Sequence, residues 1–161
     1  MALFKSTQVT NGVTVLSASG ANDTVALVGD FVIPAGFAAN DVIEFGALPF
    51  GYVPVDLVVD HEDNGGTMTG NFGLLSGEFG TSGARTCGAE FISGGDFSTA
   101  AAIKRLAVAG GTRIAPTTAA TVAAGGATHR GWGAVFTSVT TPTVGSKIRA
   151  TLFVRAAVEG V

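Results

Sequence analysis

Residues 41–79, DVIEFGALPFGYVPVDLVVDHEDNGGTMTGNFGLLSGEF, decide how the chain is read. Val42 to Leu48 is an apolar run stopped by Pro49-Phe50-Gly51. Side chains alternate along a strand, so over Val53 to Asp60 one face receives Val53, Val55, Leu57 and Val59 and the other Pro54, Asp56 and Asp60. His61-Glu62-Asp63-Asn64-Gly65-Gly66 makes a polar turn ending in glycine, and Thr67 to Leu75 returns as a strand rich in Thr, Phe and Leu. The stretch predicts three consecutive strands in a meander, apolar on one face and wet on the other. Such a layer needs a second one to cover it.

The flanking sequence supplies that layer. Before the meander, Gln8 to Leu16 is strand-like but interrupted by Asn11-Gly12, and Thr24 to Ile33 is a strand whose central glycine implies a bulge or close packing. Gly77 to Gly88 is a glycine-punctuated loop containing Arg85 and Cys87, of a length that tends to meet partners. Ala89 to Ile92 is a short strand, and Ser98 to Arg105, capped by Asp96 or Ser98, is the one stretch with a helical signal. Leu106 to Ala109 and Thr112 to Ile114 read as strand pieces, and Thr117 to Thr128 is low in complexity. Ala134 to Thr140 is a β-branched strand. Lys147 to Ala156 is the last, with Ile148, Ala150, Leu152 and Val154 inward. This pattern predicts an all-β fold: an antiparallel β-sandwich, jelly-roll-like or Greek key, with at most one short helix. Residues 1–8 form an N-terminal arm with Phe4 as an anchor, and residues 9–161 a single β-sandwich domain.

Composition bounds the function. Only 13% of the 161 residues are charged and 24 are Gly, against an average charged share of about 25%. A surface so poor in ions is either unusually neutral or partly covered by partners, and we favour partners. Net charge is −3, but residues 1–80 hold nine acids and one base, whereas residues 81–161 hold three acids and eight bases. This asymmetry is either internal pairing between interleaved strands or a side-to-side attraction between subunits. No basic patch with interleaved aromatics points to nucleic acid. No apolar run has the length of a membrane span, and the start, MALFKSTQ, has no signal-peptide pattern, so a soluble product made in the cytoplasm is expected. Cys87 is the single cysteine, which excludes an intrachain disulfide and a cysteine-based zinc site.

The sequence offers little chemistry. It contains no P-loop, GxGxxG or GxSxG, and Gly131-Trp132-Gly133 and Ser93-Gly94-Gly95 lack the following helix that such motifs need. Asp60, His61, Glu62 and Asp63, with Asp56, are the densest set of metal-ligand types, yet neighbouring side chains on a strand diverge. Two histidines, His61 and His129, leave little material for a catalytic triad. One Trp and one Tyr make a poor sugar platform beside eleven Phe, which suit a core and interfaces. The expectation is no catalysis, no cofactor and no structural metal.

The chain resembles the head decoration, or cement, proteins of tailed double-stranded DNA phages. The resemblance lies in Val42-Ile43-Glu44-Phe45-Gly46-Ala47-Leu48-Pro49, the alternating strand ending in Asp60, Phe72-Gly73-Leu74-Leu75-Ser76-Gly77, and Gly83-Ala84-Arg85-Thr86-Cys87-Gly88-Ala89-Glu90-Phe91. It runs from about Asp41 to Ala101, with a weaker match in the last strand. It implies a β-sandwich on the outside of a virion, bound to the major capsid protein and commonly a homotrimer. On that reading Phe4 and Lys5 of the arm are candidate capsid contacts. A receptor- or glycan-binding β-module of a virion and, more distantly, a cryptic hydrolase are the other readings, marked by a groove of exposed aromatics or by a His-Asp-Ser constellation in a cleft.

Overall fold

The computed structural model describes residues 1–11, 24–49, 51–98, 104–107 and 129–156. In chain order the elements are β1 (Leu3–Lys5), α1 (Thr7–Thr10), β2 (Thr24–Val32), β3 (Val42–Leu48), β4 (Tyr52–His61), β5 (Met68–Glu78), β6 (Ile92–Asp96), β7 (Lys104–Ala107), β8 (Arg130–Val139) and β9 (Lys147–Ala156). They form a five-stranded sheet ordered β1-β3-β8-β5-β6 and a four-stranded sheet ordered β2-β9-β4-β7. Every pairing is antiparallel except that of β1 with β3. One apolar cluster draws on both sheets and makes the protein an all-β sandwich: Ile43, Phe45, Phe72, Trp132 and Phe136 come from the first, Phe31, Leu57, Ile148 and Leu152 from the second. Each fully buried Leu or Ile among them contributes about 1.5–3 kcal/mol relative to exposure.

β9 follows its sequence pattern. Ile148, Ala150, Leu152 and Val154 are fully buried, while Lys147, Arg149 and Arg155 face solvent. In β2 the ladder to β9 runs unbroken through Gly29, so that glycine makes no bulge. A Cβ there would stand 2.8 Å from Phe45 Cβ and Phe45 O, so Gly29 lets β3 of the opposite sheet come close. The irregularity sits in β4 instead, where register shifts between Pro54 and Asp56. That bulge makes Pro54 face the same way as Val154 and leaves Val55 only half-buried.

Several expectations are corrected. The three strands of residues 41–79 exist but are not a meander: β4 belongs to the other sheet, and β8 inserts between β3 and β5. Each is buried on its inner face by its own sheet's partner layer, a choice that alternation within one strand does not encode. Gln8 does not begin a strand; Thr7–Thr10 is a helical turn because Ser6 caps it, its Oγ accepting from Val9 N at 3.3 Å. Lys104 and Arg105 lie in a strand where a helix was expected, Leu106 and Ala107 continue it as the strand expected there, and residues 99–103 of the helix reading fall outside the described residues; Asp96 serves an Asx turn, its Oδ1 accepting from Ser98 N at 2.9 Å. Gly94-Gly95 and Gly131-Trp132-Gly133 lie within strands. The readings over residues 12–16, 108–109, 112–114 and 117–128 fall outside the described residues.

Candidate functional site

The N-terminal segment has a place in the sandwich, contrary to its reading as an arm. Val42 N donates to Ala2 O and Ser6 N to Glu44 O, both at 2.9 Å, so Leu3–Lys5 extends the five-stranded sheet as a parallel edge. Asp41, nearly buried, accepts from Ala2 N at 2.7 Å and from Ala38 N at 2.9 Å, which fixes the start of the segment. Phe4 turns inward, its ring 6.0 Å from Phe31 and 5.5 Å from Phe37 in edge-to-face geometry. Beyond the fully buried Ser6, Gln8 reaches the other sheet: its Oε1 accepts from Asp30 N at 2.8 Å and its Nε2 donates to Asp30 Oδ2 at 2.9 Å. Residues 2–8 therefore staple the two sheets together. Of the two candidate contacts Phe4 and Lys5, only Lys5 faces solvent fully.

Asp30 joins this staple to β9. Burial pushes its carboxyl upward, but hydrogen bonds from Arg149 and Gln8 and the charges of Arg149 and Lys147 outweigh that and hold it below 3.8. The Arg149 Nε to Asp30 Oδ1 distance is 2.6 Å at the surface. The two halves of the chain thus interleave. Basic β9 lies between acidic β2 and β4, so part of the charge asymmetry is internal pairing.

A second feature covers the outer face of the five-stranded sheet. The segment 79–91 crosses it as a strap, with Arg85 the buried residue between exposed neighbours at Ala84 and Thr86. Arg85 Nε donates to Ser76 O at 2.6 Å, Nη2 to Gly77 O at 3.3 Å, and Nη1 pairs with Glu44 Oε1. Arg85 is 3% exposed and Glu44 fully buried. The strap can lie this low because Gly73 of β5 and Gly131 of β8 carry no side chain beneath it. A Cβ at Gly73 would collide with Gly88 and the Glu90 carboxylate, and one at Gly131 with Glu44 Oε1 and the Arg85 guanidinium, while Gly133 gives room to Ile43 O of the neighbouring strand. Sequence reasoning missed the Arg85–Glu44 pair; its signals were one acid inside an apolar strand and one base inside a glycine-rich loop.

Cys87 lies on this strap, half-buried and free. Burial, then the charge of Glu90, pushes its thiol up to about 12, which keeps it a thiol rather than a thiolate nucleophile.

The acidic turn does not converge. His61 points into the core with its ring 5.2 Å from Phe97, Glu62 Oε2 accepts from Lys147 N at 2.9 Å, and Asp63 Oδ1 accepts from Gly65 N at 2.9 Å. Among the described residues no group of three or more His, Cys, Asp or Glu is placed to hold a metal. Ser146 Oγ donates to Asn64 Oδ1 at 2.8 Å, a buried link that ties the turn to the start of β9. Trp132 is fully buried and stacks on Phe45 at 5.5 Å, so its ring serves the core. No helix among the described residues is long and apolar enough to cross a membrane.

No family model matches the chain, and no curated protein matches it. Among solved structures it is similar to a chain in the capsid of Ralstonia phage GP4, at 26% identity and a TM-score of 0.78, with 98% of this chain and 100% of that one covered.

Proposed function

We propose that this protein is a non-catalytic structural component of a phage virion, and more specifically a head decoration protein that bridges subunits of the major capsid protein from outside the shell. The observation that carries the reading is the end-to-end match with a chain of a phage capsid: a likeness spanning both chains leaves no large insertion to hold a separate activity. The low charge of the chain supports it, since few long side chains would have to be immobilised at an interface. Lys5, exposed beside the buried staple, is the proposed capsid contact; Phe4 supports it by holding the edge strand in place. Several copies acting together would combine weak contacts into long residence, with gains on the order of 10²- to 10⁴-fold.

The test is to strip the protein from heads, add back wild type or Lys5→Glu, and measure the temperature at which packaged DNA escapes. Protection by wild type and weaker protection by Lys5→Glu is expected. No protection by wild type would overturn the decoration reading, and equal protection would remove Lys5 from it. Deleting residues 1–7 is a poor substitute, because it removes β1 and the Ser6 cap as well as a contact.

A further inference from the structure

The outer face of the four-stranded sheet carries a pattern the decoration reading leaves unexplained. Register pairs Arg149 of β9 with Asp60 of β4 and Thr151 with Val58, and Glu62 N donates to Lys147 O in the next row. Two neighbouring columns therefore run side by side: Lys147, Arg149, Thr151 on one, and Glu62, Asp60, Val58 on the other. Basic residues stand beside acidic ones and the small or apolar pair follows. Apolar surface continues around them, with Val28 41% and Val32 47% exposed on β2 and Phe153 half-buried beyond Thr151.

We infer that this face binds a second copy of the chain about a two-fold axis running along the strands, between β9 and β4. Such an axis keeps each row at its own height and exchanges the columns. It sets Arg149 over the partner's Asp60, Lys147 over the partner's Glu62 and Thr151 over the partner's Val58, each contact occurring twice. Arg149 keeps its bond to Asp30 of its own chain, and across the axis the Arg149 and Asp60 of the two copies form a square of alternating charge, so each gains a neighbour of opposite sign. A face with a single charge sign could not pair with itself this way, which is why the occupant is a copy of this chain.

The size of the face sets the strength. Three strands of about nine residues and the four residues of β7, about 4.8 Å apart at about 3.3 Å per residue, cover roughly 490 Å² per copy. The total, roughly 1,000 Å², is the size of a weak, transient contact. The contact is thus a micromolar one in solution, sensitive to salt because its ion pairs lie near the surface.

Sedimentation equilibrium from about 5 to 300 μM in low salt tests this on the isolated full chain, apart from any capsid. Wild type is expected to approach a dimer. Lys147→Glu is expected to weaken it by roughly tenfold or more, and Lys147→Glu with Glu62→Lys, which exchanges the columns at that row, to restore it. Thr151→Lys, at the centre of the contact, is expected to give a monomer with an unchanged fold by circular dichroism. A wild-type monomer across the range, a trimer, or a dimer indifferent to Lys147→Glu and Thr151→Lys would overturn the inference, as would failure of the double exchange to restore it. If heads are protected while the free chain stays monomeric, this inference falls and the decoration reading stands.

Discussion

Replacing Arg85 by Met should destabilise the protein more than any other single surface-loop change. The methionine fills most of the arginine's volume, so the loss is electrostatic rather than a cavity. Arg85 donates to two backbone carbonyls, Ser76 O and Gly77 O, and neutralises Glu44, which is fully buried. Glu44 Oε2 has no hydrogen-bond partner among the described residues, so the carboxylate depends on Arg85 for most of its compensation; the other bond to Oε1, from Gly80 N, is long at 3.4 Å. Stranding one member of a buried ion pair costs about 3–5 kcal/mol. In a chain of 161 residues that corresponds to a fall in Tm of roughly 6–20 °C. Urea unfolding followed by tryptophan fluorescence would measure it directly, because Trp132 is in the core. Arg85→Met with Glu44→Met removes both charges and should lie within about 1.5 kcal/mol of wild type, since apolar replacement of a buried pair is often neutral or stabilising. A single variant that loses less than about 1 kcal/mol, or a double variant as unstable as the single one, would refute the reasoning.

Gly133→Ala should cost about 2 kcal/mol or more in the same assay, because its methyl meets Ile43 O and backbone must shift to admit it. Phe4→Ala should cost about 1.5–3 kcal/mol, less than a fully buried Phe, from lost contact with Phe31 and Phe37. The Asp30 carboxyl is held below 3.8, so its contribution is present above the unfolded value and lost as pH falls through the lower folded one. Thermal melts should therefore show a steeper loss of stability below about pH 4 for wild type than for Asp30→Asn. Cys87, with its thiol pushed up to about 12, should react with iodoacetamide at pH 8 far more slowly than in urea, and equal rates would mean the strap is open.

The sequence by itself determined what alternation and composition can determine. It specified an all-β sandwich, the inward set Ile148, Ala150, Leu152 and Val154, the strand character of residues 42–48, 53–60 and 68–75, and at Gly29 a choice between a bulge and a close approach, of which the structure takes the second. These follow from local geometry, because a period of two and a missing Cβ act wherever the strand is placed. Tertiary structure alone decided which strands pair. The separation of β4 from β3 and β5, and the insertion of β8 between them, depend on contacts between residues about 90 positions apart such as Glu44 and Gly133. The same holds for the staple and the strap. Phe4 looks like a free anchor until Phe31 and Phe37 enclose it, and Arg85 and Glu44 look like unrelated charges until Gly73 and Gly131 let the strap settle on the sheet. Each of those residues has an ordinary local signal. Its role comes from a partner that the chain brings near only on folding.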